Sequence, residues 1–292
     1  MIHPSTFSLV AYDPQNQAWG VAVASKFLAV GSVVPWARAG VGALATQSYA
    51  NTSFGPRGLD FMEQGLSANQ ALERLLSDDP ERDLRQVGLV DQQGGSATFT
   101  GKSCYSWAGG VTGSNFAAQG NILAGAQVVD ALAETFAKTT GNLPHRLYAA
   151  LLAGDRAGGD RRGRQSAAIY VVKPKGGYGG FNDRWVDYRV DDHPDPVLRL
   201  GELLDLSDLY FGKSPESDQL QLEGEVLRRL QLIMARLGYY QGDPGGVYDG
   251  KTRIALEAFT GNENFEERTD LKAGKIDRPV YEFIIRQFWM DR

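Results

Sequence analysis

TFSLVAYDPQNQAWGVAVAS, residues 6–25, is the stretch on which the fold turns. Residues 6–12 and 18–24 are short apolar runs rich in β-branched side chains, and Asp13, Pro14, Gln15 and Asn16 between them are turn formers. This predicts a β-hairpin. A second pair, 30–37 and 40–47 with Arg38 at the bend, follows the same logic, so four strands are expected first. From Gly55 the spacing becomes helical, with Leu59, Phe61, Met62 and Leu66, then Ala68, Ala71, Leu72 and Leu75. Short strands are expected at 87–90, 96–100, 106–111 and 116–118, and helices at 125–138 and 144–153. Two strands follow at 166–173 and 184–190, and a helix opens at Asp195-Pro196.

Strands that come in runs, not alternating with helices, argue against a doubly wound parallel sheet and for a layered α+β fold. The polar stretch 211–219 is expected to be a linker. Beyond it three helices are predicted, the first ending near Leu237, the second carrying Thr252 to Phe259, the third carrying Val280 to Phe288. The expected domains are therefore 1–210 and an all-α 220–292.

The chain has 292 residues, 42% hydrophobic and 22% charged, with a net charge of −5, which are globular values for two domains. An acidic surface offers no field for nucleic acid, and the eleven uncharged residues between Lys26 and Arg38 are too few to span a bilayer. Neither nucleic acid nor membrane is an expected partner. The first thirty residues show no signal-peptide pattern, so a cytoplasmic location is expected. One cysteine, Cys104, excludes an intrachain disulfide and reads as a small buried residue.

The sharpest local feature is GGDRRGRQS, residues 158–166. Its glycines let the backbone approach a ligand closely, and its arginines offer clamps for a carboxylate or phosphate. The spacing fits neither a Walker loop nor a dinucleotide fingerprint. Asp191, Asp192, His193 and Asp195 are contiguous on an extended segment that alternates faces, and Asp195 is suited to capping the following helix, so no metal is expected. With His3 near the terminus and His145 at a helix start, a Ser-His-Asp triad has no obvious histidine.

TFSLVAYD, WGVAVASKFLAVG, GALATQSYAN, GLDFMEQG, QGNILAG, AGGDRRGRQSAA and RVDDHPDP together resemble the N-terminal-nucleophile (Ntn) hydrolase-like family known as domain of unknown function 1028, over about residues 6–205. The resemblance implies a four-layer αββα sandwich with a nucleophile at the head of the first strand. Thr6 matches that position, its own α-amine serving as base, with Lys26 as an electrostatic helper. It also implies amidohydrolase activity on a small-molecule or peptide-like amide, with no cofactor. Ser25, Gln47, Asn121, Asp160, Arg161, Gln165 and Ser166 are the expected substrate-binding residues. Five residues precede Thr6, so its nitrogen is an amide, and methionine trimming does not expose it. Either cleavage between Ser5 and Thr6 releases the amine, or the domain is a non-catalytic binding protein on the same scaffold.

LGYYQGDPGGVYDGKTRIALEAF, residues 237–259, resembles peptidoglycan-binding-like modules. Gly238 suits a left-handed helix stop, Leu237, Ala255 and Phe259 are expected in the core, and Tyr239, Tyr240 and Tyr248 either stack on sugar or shield the core. Peptidoglycan fragments are a further expected partner. The alternative is a module that docks on the large domain or on a second subunit, and a homo-oligomer is expected.

Overall fold

The computed structural model describes residues 6–289. They fall into two compact units, within Met1–Leu204 and Asp205–Arg292. The fold is mixed α and β, with antiparallel sheets and C-terminal helices. No helix among the described residues is long and apolar enough to cross a membrane.

The opening hairpin pairs β1 (Thr6–Asp13) with β2 (Ala18–Ser25), and the Asp13 carboxylate closes the turn by accepting the Gln15 N–H at 3.0 Å and the Asn16 side-chain amide at 2.8 Å. The second predicted pair is only partly strand. Residues 30–32 form a 3-10 turn, because the Val30 N–H goes to the Ser166 hydroxyl at 3.0 Å and the Ser32 hydroxyl bonds back to the Ala29 carbonyl at 2.8 Å. The pair proper is β3 (Pro35–Arg38) and β4 (Gly42–Ser48). Helices α1 (Phe54–Glu63) and α2 (Ala68–Ser77) follow, the latter opened by a capping box between Ser67 and Gln70.

Next come β5 (Arg85–Asp91), β6 (Ser96–Thr100), β7 (Gly109–Gly113), which starts three residues later than the sequence suggests, and β8 (Phe116–Asn121). Helices α3 (Gln127–Lys138) and α4 (Leu143–Arg156) precede β9 (Ser166–Val172) and β10 (Arg184–Val190). Helix α5 (Pro196–Phe211) contains the boundary between the units.

Among the described residues the first unit has a six-stranded sheet in the order β10-β9-β2-β1-β8-β7 and a four-stranded sheet in the order β3-β4-β5-β6. The two-residue period of a strand decides which side chains meet. Phe7, Leu9, Ala22 and Ile169 face α3, α4 and α5, meeting Leu132, Phe136, Leu147 and Leu200. On the other face Val10, Val21, Val23 and Ala168 pack on Ala43, Ala45 and Val90 of the four-stranded sheet. Leu44, Val87 and Leu89 turn outward from that sheet onto Phe54, Leu59, Met62 and Leu75 of α1 and α2. Each large side chain so buried contributes about 1.5–3 kcal/mol.

The second unit is not all-α. Helices α6 (Gly224–Arg236), α7 (Gly250–Asn262) and α8 (Arg278–Ile284) share it with an antiparallel sheet, β11 (Gln219–Gln221), β12 (Thr269–Asp270) and β13 (Lys275–Asp277), in the order β11-β13-β12. Strands of two or three residues are too short to show a two-residue period. The stretch 211–219 is correspondingly structured. It holds the end of α5, a 3-10 turn at Glu216–Asp218 and the start of β11, and Ser214 accepts a hydrogen bond from Arg268 at 3.2 Å.

Candidate functional site

Four of the sequence-predicted site residues form one row. Cross-strand register places Asn121 of β8 opposite Thr6 of β1, Thr6 opposite Ser25 of β2, and Ser25 opposite Ser166 of β9. All four are buried, Thr6 completely. The Thr6 and Ser25 hydroxyl oxygens lie 3.2 Å apart. Parity explains the row, because Thr6, Ser25, Asn121 and Ser166 are in step with Val10, Val23, Ala117 and Ala168 and so face the space between the sheets. That space is apolar toward Trp19 and polar toward Thr6.

The four-stranded sheet supplies the opposing wall. Gln47 of β4 donates to the Thr6 carbonyl at 3.2 Å and to Gln86 Oε1 at 2.9 Å, while its own Oε1 accepts from the Ser8 hydroxyl at 2.6 Å. Gln119 donates to the Ser8 hydroxyl at 2.7 Å, and Asn121 donates to Gln86 Oε1 at 2.9 Å. Gln86 in turn donates to the Gly120 carbonyl at 2.7 Å and the Thr100 hydroxyl at 2.9 Å. Buried amides and hydroxyls persist only when so paired. Ser8, Gln86 and Gln119 are members that the sequence reading missed; each is a polar residue in step with the inward apolar positions of its strand, which is the signal that marks them. The side chains meeting Thr6 here, Ser25 and Gln47, are a hydroxyl and a carboxamide, neither of which takes up a proton near neutral pH.

The loop 158–166 reaches the same end of the sheet. Left-handed backbone at Gly158, Gly159 and Gly163, with φ of 118°, 49° and 111°, lets it fold back on itself. The Asp160 carboxylate is buried and accepts the Lys26 N–H at 2.7 Å, the Arg162 N–H at 2.8 Å and the Arg162 guanidinium at 3.1 Å. Asp160 is thus the anchor of the loop. The Gln165 N–H bonds to the Ser25 carbonyl at 3.1 Å, but its side chain donates to Asp192 at 3.1 Å. The Lys26 ammonium is exposed and donates to the Arg164 carbonyl at 3.3 Å, so the lysine braces the loop where the sequence reading expected an electrostatic helper of Thr6. Arg161 is exposed, its N–H bonded to the Ile122 carbonyl at 3.1 Å.

On the far side of Ile122, its N–H bonds to the Tyr105 carbonyl at 3.0 Å, and the hydroxyls of Tyr105 and Tyr49 lie 3.5 Å apart. Cys104 is partly buried, and burial pushes its thiol pKa up.

The Asp191–Asp195 stretch is engaged in local bonds. Asp195 pairs with Arg164 at 3.1 Å, and His193 Nδ1 accepts the Asp195 N–H at 3.0 Å. Among the described residues, no three or more His, Cys, Asp or Glu side chains gather in a metal-binding group. His145 sits in the first turn of α4 against Asn142, while His3 and the rest of residues 1–5 lie outside the described residues.

In the second unit the tyrosines belong to the core. Tyr240 is buried with its hydroxyl on the Asp243 carbonyl at 3.1 Å, Tyr248 donates to the Leu271 carbonyl at 2.7 Å, and Tyr239 packs edge-on to Phe259. Ala255 and Phe259 are buried as expected, whereas Leu237 is 41% exposed, because the helix ends at Arg236 and Gly238 turns left-handed with φ 85°. An open cleft of about 520 Å³ is lined by Lys213, Gln219, Arg268, Asp270, Lys272 and Lys275, among others.

The family model for a family of unknown function, DUF1028, matches residues 6–200, and a peptidoglycan-binding-like domain model, PG_binding_2, matches residues 210–284. The crystal structure of a DUF1028-family protein from Silicibacter pomeroyi is similar, with 31% sequence identity and a TM-score of 0.64 over 73% of this chain and 89% of that one. No curated protein matches the chain.

Proposed function

The chain belongs to the family of unknown function DUF1028, and on that footing we propose that its first unit is an Ntn-type hydrolase of amide bonds. We read the two sheets with their flanking helices as a four-layer αββα sandwich, because the three cores of the first unit lie helix on sheet, sheet on sheet and sheet on helix. The observation that carries the proposal is the position of Thr6. It heads β1 at the centre of a buried polar row, beside groups that orient a hydroxyl but do not deprotonate it.

The base the row lacks is the Thr6 α-amine, available once water has cleaved the Ser5–Thr6 peptide bond. A free α-amine with a pKa of about 7.7–8.0 is suited to proton transfer near neutrality. The Thr6 hydroxyl attacks the substrate carbonyl while its proton passes to the amine. The amine then returns that proton to the departing nitrogen, leaving an ester on Thr6. Water, giving its proton to the same amine, hydrolyses the ester to the acid and regenerates Thr6. Asn121, the cross-strand neighbour of Thr6, is our candidate donor to the developing oxyanion, and one such donor is worth about 10²–10³ in rate, while Gln47, both of whose N–H groups are engaged, holds the Thr6 carbonyl. Asp160, Lys26 and Gln165 hold the loop that flanks the row.

Intact mass and N-terminal sequencing of protein from its native host test the proposal. A fraction beginning at Thr6 is expected, inactive as Thr6→Ala. A chain that quantitatively retains Met1 or Ile2 sinks the hydrolase and leaves the second reading, a non-catalytic ligand-binding protein, which the complete burial of Thr6 favours.

For the second unit we propose binding of peptidoglycan fragments in the cleft beside Lys213, Lys272 and Lys275, whose ammonium groups suit the carboxylates of wall peptides. Retention of the full chain on purified peptidoglycan, released by soluble muramyl peptide, is expected. Equal retention on cellulose dismisses it. We propose further that the chain forms a homo-oligomer, to be checked by sedimentation equilibrium.

A further inference from the structure

The three arginines of the loop 158–166 are not equivalent. Arg162 is committed to the buried carboxylate of Asp160, through a contact of 3.1 Å from its guanidinium, and to the Lys26 carbonyl at 3.0 Å. Arg164 is committed to Asp155 at 2.8 Å and Asp195 at 3.1 Å. Arg161 is exposed, and its guanidinium has no hydrogen-bond or ion-pair partner among the described residues. Its backbone, however, is fixed. The Arg161 N–H bonds to the Ile122 carbonyl at 3.1 Å, the neighbouring Asp160 bridges to Leu123, and Ile122 directly follows Asn121, the cross-strand partner of Thr6. Tyr105 is tied to the other side of the same Ile122. A guanidinium with no partner among the described residues, carried on a backbone held to the residue that follows Asn121, is how a protein stations a clamp for an anion, since the fork of N–H donors matches a carboxylate in two places.

We propose that Arg161 binds a carboxylate on the substrate, so that the first unit acts on N-acyl amino acids or short peptides with a free acid and discriminates against their neutral amides. This substrate class rests on the hydrolase reading above; the carboxylate site itself does not. The net charge of −5 repels acids in general, so a preference for the acid form requires a local site. Arg161 is a specificity residue in this scheme. It takes no part in proton transfer.

The test is a titration of the full chain, residues 1–5 included, with N-acetyl-L-alanine and separately with N-acetyl-L-alaninamide, followed by the amide resonances of Ile122 and Arg161 at physiological ionic strength. The acid is expected to bind about tenfold more tightly than the amide. Arg161→Gln is expected to erase that difference, and Arg161→Lys to restore part of it as a point charge without the fork. Because the side chain is exposed and uncommitted, both variants are expected to keep the wild-type spectrum elsewhere. Equal binding of acid and amide, no binding of either, or an acid preference that survives Arg161→Gln overturns the proposal. An acid preference in a protein that never hydrolyses an amide refutes only the hydrolase.

Discussion

Gln119 of β8 stands where a β-carbon on Gly88 of β5 would sit: an ideal Cβ built on Gly88 lies 2.1 Å from Gln119 Oε1. The glutamine is held there by the Ser8 hydroxyl at 2.7 Å and the Thr98 hydroxyl at 3.3 Å. The close approach of the two sheets at the polar end thus depends on a missing side chain. Gly88→Ala is expected to cost about 1–3 kcal/mol, as overpacking in a filled interior does. Urea unfolding of the variant measures it, and an unchanged midpoint means that Gln119 moves aside freely.

Asp160 is the single buried carboxylate holding the loop to the end of β2, through the Lys26 N–H and Arg162. Asp160→Ala removes the acceptor of the Lys26 N–H and one partner of the Arg162 guanidinium, which keeps the Lys26 carbonyl, and a loss of about 1–3 kcal/mol is expected. Asp160→Asn keeps one acceptor oxygen and is expected to lose less. Faster amide exchange at Lys26 and Gln165 than in the wild type localises the effect.

Asp79 predicts a pH dependence. Burial pushes its carboxyl up, but hydrogen bonds from the Arg85 guanidinium at 2.8 Å, the Glu81 N–H at 2.9 Å and the Asn51 amide at 3.3 Å outweigh it, and its pKa lies below the ordinary carboxylate value. The unfolded chain then binds more protons at this group, so stability rises with pH across the window. The contribution is complete above about pH 4 and is lost as the pH falls through the depressed folded value. Unfolding midpoints of wild type and Asp79→Asn, taken from pH 7 down to pH 2, are expected to converge toward acid. Parallel curves contradict the assignment.

The Cys104 thiol is partly buried and lies 3.4 Å from the Arg85 carbonyl. Its pKa is raised by burial, against hydrogen bonds from Ser48 and the Gly101 N–H. The thiolate is the reactive form, so labelling by an aromatic disulfide near pH 8 is expected to be at least about tenfold slower in the folded protein than in the unfolded chain. Equal rates would show an open, ionised thiol at odds with this packing.

Arg268 and Asp277 form a buried ion pair at 2.6 Å, and the same guanidinium bonds to the Leu209 carbonyl at 2.9 Å and the Ser214 hydroxyl. Arg268→Ala leaves a buried carboxylate uncompensated and is expected to destabilise the second unit by about 3–5 kcal/mol. Loss of near-ultraviolet signal from its tyrosines at lower denaturant is the readout.

Strand and helix order in the first unit is legible in the chain because its signals are local. The apolar, β-branched-rich runs at 6–12 and 18–24, the turn at Asp13 to Asn16, and helical spacing after Gly55 need no knowledge of distant residues. Two expectations failed where a distant partner intervenes. Val30 leaves the strand because the hydroxyl of Ser166, 136 residues away, takes its N–H. The second unit gains a sheet because Gln219 to Gln221 finds Lys275 to Asp277, and neither segment is long enough to announce itself.

The candidate site divides in the same way. Thr6, Ser25, Asn121 and Ser166 are nameable from motifs, but their alignment depends on the order β8-β1-β2-β9, which no local pattern encodes. Position just beyond β2 does not say where the long Lys26 side chain goes, and its ammonium donates to the Arg164 carbonyl.

What the sequence by itself determined, then, is which residues face inward on each strand, since parity is a property of the backbone. Only the tertiary structure decided that β1 meets Gln47 and β8 meets Gln86 across a second sheet, and that Arg161, among the loop's three arginines, is the one whose guanidinium has no partner among the described residues. Those relations join residues dozens of positions apart, and they are set by how the two sheets pack.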